Sequence, residues 1–403
     1  MTRLDVDRLL DDPRTRIIVC CGSGGVGKTT TAAALGLRAA ERGRHVVVLT
    51  VDPARRLAQS MGLTSLDNTP RPVPGAVGDP QLGGTLHAMM LDMKRTFDEI
   101  VEAHSDPDRA AQILANPFYQ SLSSSFAGTQ EYMAMEKLGQ LRQSDEWDLI
   151  VVDTPPSRSA LDFLDAPQRL GRFLDGRLIR LLSAPTRVGG RAYLRVVTAG
   201  FGMLTGVITK VIGTQVLRDV QTFVAAFDTM FGGFRQRAED TYRLLQAPGT
   251  AFLVIATPEP DALREASYFV ERLSQDRMPL AGLIVNRVHR SPAAQLSAAR
   301  SLAAAETLES APTATLARPD ARSNAGATAA STRYPLASTA LRLHAERMQL
   351  GERERRLEEH FTAAHPVIPV VEVPAQPEDV HDLDGLRAIG VELARAADGE
   401  ADD

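Results

Sequence analysis

A chain of 403 residues is long enough to bury the core of one large α/β domain or of two ordinary ones, and its composition is that of a globular protein. Its 45 Lys and Arg against 50 Asp and Glu leave a net charge of -5 with both signs mixed, which offers no electrostatic case for nucleic acid or for an anionic membrane surface. The two cysteines, Cys20 and Cys21, are adjacent in a predicted strand where successive side chains point to opposite faces, so they do not pair and they fit a reducing cytoplasm.

The N-terminal stretch Met1 to Arg16 is charged and lacks the apolar core of a signal peptide. Arg16 to Cys21 is apolar and β-rich, and Lys28 to Arg42 is Ala- and Leu-rich and stops at Gly43, so a strand and a helix flank Gly22-Ser23-Gly24-Gly25-Val26-Gly27-Lys28-Thr29-Thr30. That loop fits the phosphate-binding pattern of Gly, four residues, Gly, Lys and Ser or Thr. Glycines let the backbone curl with its N–H groups inward at the positive end of the following helix. Lys28 adds a point charge for the β and γ phosphates, and Thr29 a hydroxyl for Mg²⁺. Gly22, Gly24 and Gly27 also spell G-x-G-x-x-G, and with Asp52 past the second strand they permit a dinucleotide reading. Lys28 and Thr29 favour a triphosphate with Mg²⁺, because a nicotinamide site needs neither group at that helix turn.

His45 to Val51 reads as a buried parallel strand. Asp52 before Pro53 is a helix N-cap by type, yet at the carboxyl end of strand two it also stands where a base or water-positioning group belongs, and both roles remain open. Pro70 to Gly84 reads as an irregular loop and Leu86 to Leu141 as largely helical, interrupted near Asp106 and Gly128. Met89, Met90, Met93, Met133 and Met135 read as core filling. Trp147 to Pro156 is a buried strand that ends in Asp153, placed like a Walker B carboxylate, with an N-cap or turn role as the plainer alternative. Thr154 to Pro156 then forms a loop able to sense the γ phosphate.

Ser157 to Ala247 reads as helices with more apolar surface than a sheet can cover, and residues 158–247 are expected to form an inserted helical subdomain. Its Val196 to Val220 either buries against neighbouring helices or forms a groove for an apolar partner. Within it Val196 to Thr209 is uncharged but only 14 residues long with three glycines, short of a membrane span. Ala251 to Ala256 and Leu280 to Val285 are further strands, the second ending at Asn286, with a helix from Asp261 between them. Residues 310–338 read as a low-complexity loop and Leu341 to Glu359 as a charged, solvated helix. Val367 to Val373 is a last strand leading into Pro374, Leu383 to Ala396 a last helix, and 397–403 an acidic tail. His360 and His365 lie five apart and share no helical face, so they predict no metal site. Residues 1–396 are expected to form one domain.

Gly22 to Thr30, Thr50 to Leu57, Asp153 to Pro156, Leu283 to Arg287 and the strand into Pro374 together resemble the ArsA family of ATPases. That family includes arsenite-pump ATPases and the ATPase that targets tail-anchored membrane proteins. The resemblance implies a phosphate-loop NTPase of the SIMIBI type, α/β with a doubly wound, mostly parallel sheet, a deviant Walker A loop, ATP and Mg²⁺ as ligands, and a dimer that switches with nucleotide state. Gly24, Gly25, Val26, Gly27 and Lys28 would hold the phosphates, Thr29 the Mg²⁺, Thr30 the α phosphate, Asp52 the attacking water and Asp153 the metal through water. Asn286 and the segment near Pro374 would meet adenine.

The family's signature Lys, which reaches across a dimer to the partner's phosphates, is replaced here by Ser23. That substitution points to a heterodimer with a paralogue carrying the Lys, because charge neutralisation is most of phosphoryl-transfer catalysis. The cysteines that bind interface zinc or sense arsenite in relatives are absent, so arsenite transport has little support. A hydrophobic client or a membrane partner fits the apolar Val196 to Val220. A DNA-partitioning ATPase of the ParA type shares the loop, but no basic face is present and no nucleic-acid partner is expected.

Overall fold

The computed structural model describes residues 2–52, 56–76, 83–117, 119–120, 129–155, 236–310 and 333–395. Among these, eight strands form one sheet: β1 (Ile17–Cys21), β2 (His45–Thr50), β3 (Arg71–Pro72), β4 (Thr85–Met90), β5 (Leu149–Asp153), β6 (Thr250–Ala256), β7 (Leu280–Val288) and β8 (Val370–Pro374). Their order is β3-β4-β2-β5-β1-β6-β7-β8, and every neighbouring pair is parallel except β3 with β4. The doubly wound, mostly parallel α/β fold expected from the sequence is therefore present. β1, β5 and β6 are buried throughout, which explains their unbroken Val, Ile and Leu runs: helices cover both faces of such a sheet.

The helices include α1 (Val6–Asp11), α2 (Lys28–Glu41), α3 (Arg56–Ser60), α4 (Met93–His104), α5 (Pro107–Leu114), α6 (Thr129–Gln143), α7 (Pro260–Gln275), α8 (Ala298–Ser310), α9 (Arg333–Ala364) and α10 (Leu383–Arg395). α2 packs against β2, β5, α1 and α10, whereas α7 packs against β6, β7 and α9. From β1 the chain winds one way through α2 to β2, and from β6 the other way through α7 to β7. Right-handed crossovers then place α2 and α7 on opposite faces. The winding reverses at β1, and open α/β sheets bind ligands at the carboxyl ends of the strands beside such a reversal.

Three expectations are corrected. Leu86 to Met90 is not the start of a helical run but strand β4, in register with β2 from His45 opposite Thr85 to Thr50 opposite Met90. Pairing with a formed strand outweighs the weak helical pattern there. The helix expected at Leu341 to Glu359 begins at Arg333, inside what read as low-complexity loop, and extends to Ala364 over 32 residues. Nor is it solvated on most faces, since it lies along α8 and α7 and buries Ala345, Glu354, Glu358 and Phe361. The interruption near Asp106 is a true break: Asp106 caps α5 by accepting from the Arg109 N–H, with Pro107 in the first turn. Met89, Met133 and Met135 are buried in the core as expected. The stretch 158–247 expected to form an inserted helical subdomain lies largely outside the described residues, as do Val196 to Val220, the break expected at Gly128, Pro53 and the acidic tail; the described residues 236–246 of that stretch are helical.

Candidate functional site

β1 ends at Cys21, and the chain turns at Gly22 because nothing larger fits. A Cβ there would lie 2.1 Å from the Ile255 carbonyl oxygen of β6. The loop closes at Gly27, whose φ of 96° is a left-handed conformation that favours glycine, and a Cβ there would meet Asn286 Nδ2 at 2.3 Å. Gly27 is also the N-cap of α2. Asp side chains cap α1, α4 and α5, but no side chain caps α2, so its first-turn N–H groups face the loop at the positive end of the helix dipole. An anion is the natural complement of that end.

Lys28 is buried and its Nζ donates to the Ser23 carbonyl at 2.8 Å, so its charge lies inside the curl of the loop. Burial pulls this ammonium below its ordinary pKa, with Asp153 the foremost of the charges that oppose the shift. Asp153 ends β5 directly opposite Cys20 of β1 on one side and Thr50 of β2 on the other. Its Oδ2 accepts from Thr29 Oγ1 at 2.7 Å and from Thr50 Oγ1 at 2.8 Å. Oδ1 is buried without a hydrogen-bond partner. Burial pushes this carboxyl up to about 6, against the two hydroxyls and Lys28, which favour its charged form. A carboxylate oxygen left with unused acceptor capacity beside a threonine hydroxyl is the donor chemistry of a hard divalent cation, so these residues fit Mg²⁺. Among the described residues no separate cluster of three or more His, Cys, Asp or Glu fits a metal ion.

Asp52 lies one residue past Val51, whose N–H donates to the Asp153 carbonyl at 3.0 Å. The Asp52 N–H donates to Thr50 Oγ1 at 3.2 Å, and its half-buried carboxylate adds to the field at both Lys28 and Asp153. Thr154 is buried and its Oγ1 donates to the Cys20 carbonyl at 2.8 Å, which ties the start of the following loop to β1. Both thiols are buried, and burial raises both, Cys21 to about 12, which disfavours a reactive thiolate.

Beside the loop opens a cavity of about 550 Å³ lined by Gly27, Thr29 and Thr30, by Asn286 and Arg287, and by the run Pro374 to Gln376. Asn286 Nδ2 donates to the Val26 carbonyl at 2.8 Å, so this residue braces the loop as well as facing the cavity. The structure thus brings Gly24 to Thr30, Asp52, Asp153, Asn286 and Pro374 to one edge of the sheet. Sequence reasoning assigned no role to Thr50, which shares the Asp153 carboxylate, although a hydroxyl ending an apolar strand at that edge was a usable signal. It also passed over Gln59, Ser60 and Arg287 on the cavity wall.

A family model described as "Anion-transporting ATPase" matches residues 15–311, which include all of these groups except Pro374. The chain is 30% identical over 169 residues to a Malassezia globosa protein named ATPase GET3, an alignment covering 42% of this chain and 47% of that protein. It is 24% identical over 290 residues to the ATPase get3 of Schizosaccharomyces japonicus, covering 71% and 79%. It is likewise 24% identical over 291 residues to the ATPase ASNA1 homolog of Babesia bovis, covering 71% and 70%. The chain therefore spans less than half of the Malassezia protein's length and more than two thirds of the other two.

Proposed function

Because the chain belongs to the anion-transporting ATPase family of ArsA ATPases, we propose that it binds ATP with Mg²⁺ at the Gly22 to Thr30 loop, hydrolyses it to ADP and phosphate, and changes shape with nucleotide state. The observation that carries this reading is Asp153, gripped by Thr29 and Thr50 through one oxygen, with the other oxygen buried and unpartnered beside Lys28. Thr29 and Asp153 would hold the ion. Mg²⁺, when bound, neutralises charge on the phosphate oxygens.

The loop N–H groups and Lys28 bind the phosphates, and Lys28 exchanges the Ser23 carbonyl for phosphate oxygen. Asp52 orients the attacking water and accepts its proton as the bond from the γ phosphorus to ADP breaks. Thr154 passes the loss of the γ phosphate into the chain that follows, through its bond to Cys20. Asn286 and Pro374 line the space for the base.

Ser23 adds a partner to this reading. With no Lys at that position the subunit supplies no trans cation, and the working assembly is a dimer, with a paralogue that carries the Lys. Steady-state hydrolysis by the purified chain is then slow. Ser23→Lys raises it if two copies associate, and brisk hydrolysis unaltered by that change would remove the pairing idea. The assembly works in a reducing cytoplasm.

A second reading, capture of hydrophobic membrane-protein segments by such an assembly, draws on the apolar run Val196 to Val220. Deleting that run should abolish capture of an apolar helix and spare nucleotide binding. Among the described residues, no helix is long and apolar enough to cross a membrane.

A further inference from the structure

β7 does not run regularly to its end. Between Asn286 and Val288 its pairing with β8 shifts by a residue, so that Asn286 faces Val373 while Val288 faces Pro374. The residue between them, Arg287, takes a φ of 65°. That left-handed conformation is unfavourable for a non-glycine residue, and bulges beside active sites serve to re-aim a side chain. Its neighbours Asn286 and Val288 are buried, whereas Arg287 is exposed and lines the cavity that begins at Gly27, Thr29 and Thr30. Among the described residues no hydrogen bond or ion pair consumes its guanidinium, although Arg290, three residues on, is held by Glu372 at 2.6 Å.

The rest of the cavity wall decides what Arg287 meets. Pro374, Ala375 and Ile389 supply apolar surface, and Glu378 and Asp379 supply carboxylates. Two acids against one guanidinium make that end wrong for a triphosphate, which the loop and Lys28 already accommodate. A flat, neutral ring system with hydroxyl donors attached suits it. A guanidinium is planar and stacks on π faces, and a ribose can donate to carboxylates. We infer that Arg287 is a nucleoside-binding residue, delivered by the β7 bulge to stack on the base of the nucleotide.

The inference rests on the proposed nucleotide site. It is tested by calorimetric titration of the full-length protein with ATP and, separately, with inorganic tripolyphosphate, both with Mg²⁺. Arg287→Asn removes the guanidinium with a residue that tolerates the left-handed backbone, and an unchanged circular dichroism spectrum and melting temperature establish its folding. Arg287→Asn should weaken ATP binding about tenfold and leave tripolyphosphate unaffected, and Arg287→Lys should weaken ATP by a smaller factor, since an ammonium keeps the charge but not the plane. Unchanged ATP affinity in Arg287→Asn overturns the assignment, and so does an equal loss for both ligands, which would make Arg287 a phosphate contact. A wild-type chain that binds neither ligand instead overturns the nucleotide reading, and this assignment with it.

Discussion

The two ends of the cavity edge are built in different ways. At the phosphate end, the tips of β1, β2 and β5 converge, and nearly every polar group is committed to another: Lys28 to Ser23, Thr29 and Thr50 to Asp153, Thr154 to Cys20. At the end proposed for the nucleoside, β7, β8 and the segment after β8 contribute a proline and charged side chains, and among the described residues no hydrogen bond or ion pair holds Arg287. On the proposed reading one end is pre-organised for charge, where a preset field is worth most, and the other for shape. They are joined where Asn286 Nδ2 reaches the Val26 carbonyl over Gly27.

Substitutions at the loop end should therefore reach turnover whatever else they change, and those at the joint should act on affinity and stability alone. The largest effect is expected for Lys28→Ala and Asp52→Asn, each lowering Mg²⁺-dependent ATP hydrolysis by about a thousandfold or more. They should differ in a binding assay, because Asp52→Asn leaves ATP affinity nearly intact while Lys28→Ala does not. Normal turnover in either variant removes that residue from the chemistry.

Asp153 gives the next effect, and its sign can be worked out. Its folded pKa of about 6 stands above the ordinary 3.8, so the carboxyl favours the folded state below about pH 3.8 and that contribution is lost as pH rises through about 6. In metal-free protein Asp153→Asn should accordingly raise stability above pH 6, by up to roughly 3 kcal/mol, and change it little near pH 4. The same variant should lose Mg²⁺ affinity at every pH above 6. Thermal melts at pH 4 and pH 8 check the first, and a Mg²⁺ titration of ATP binding the second. An equal shift at both pH values would contradict a buried carboxyl raised by desolvation.

Smaller effects belong to the joint. Gly27→Ala meets both a left-handed backbone and the Asn286 amide, and should cost about 1–3 kcal/mol by denaturant melts. Asn286→Ala removes one buried hydrogen bond and should cost about 1 kcal/mol, with a severalfold loss of ATP affinity. If Asn286→Ala proved as damaging to turnover as Lys28→Ala, the division between the two ends would fall.

The phosphate end was readable in the sequence because its chemistry is local. Nine consecutive residues carry the loop, and Asp52 and Asp153 each end an unmistakable apolar run. At the other end Asn286 and Pro374 were reached only through the family resemblance, because they come from strands that the β7 and β8 pairing brings together. A bulge that turns Arg287 outward leaves no mark in residue periodicity. Thr50 fell between these cases, visible as a polar strand end but without a partner until β2 and β5 were aligned. β4 was misread for a related reason, since its six residues become a strand by pairing with β2 rather than by their own pattern.

The most direct test of the account is a calorimetric titration of the full-length protein with ATP, with and without Mg²⁺, beside Lys28→Ala and beside NAD as a competing ligand. The account predicts saturable binding of one ATP per chain that Mg²⁺ strengthens, loss of that binding in Lys28→Ala, and no competition from NAD. Tighter binding of NAD than of ATP, or ATP binding indifferent to both Mg²⁺ and Lys28, would contradict it.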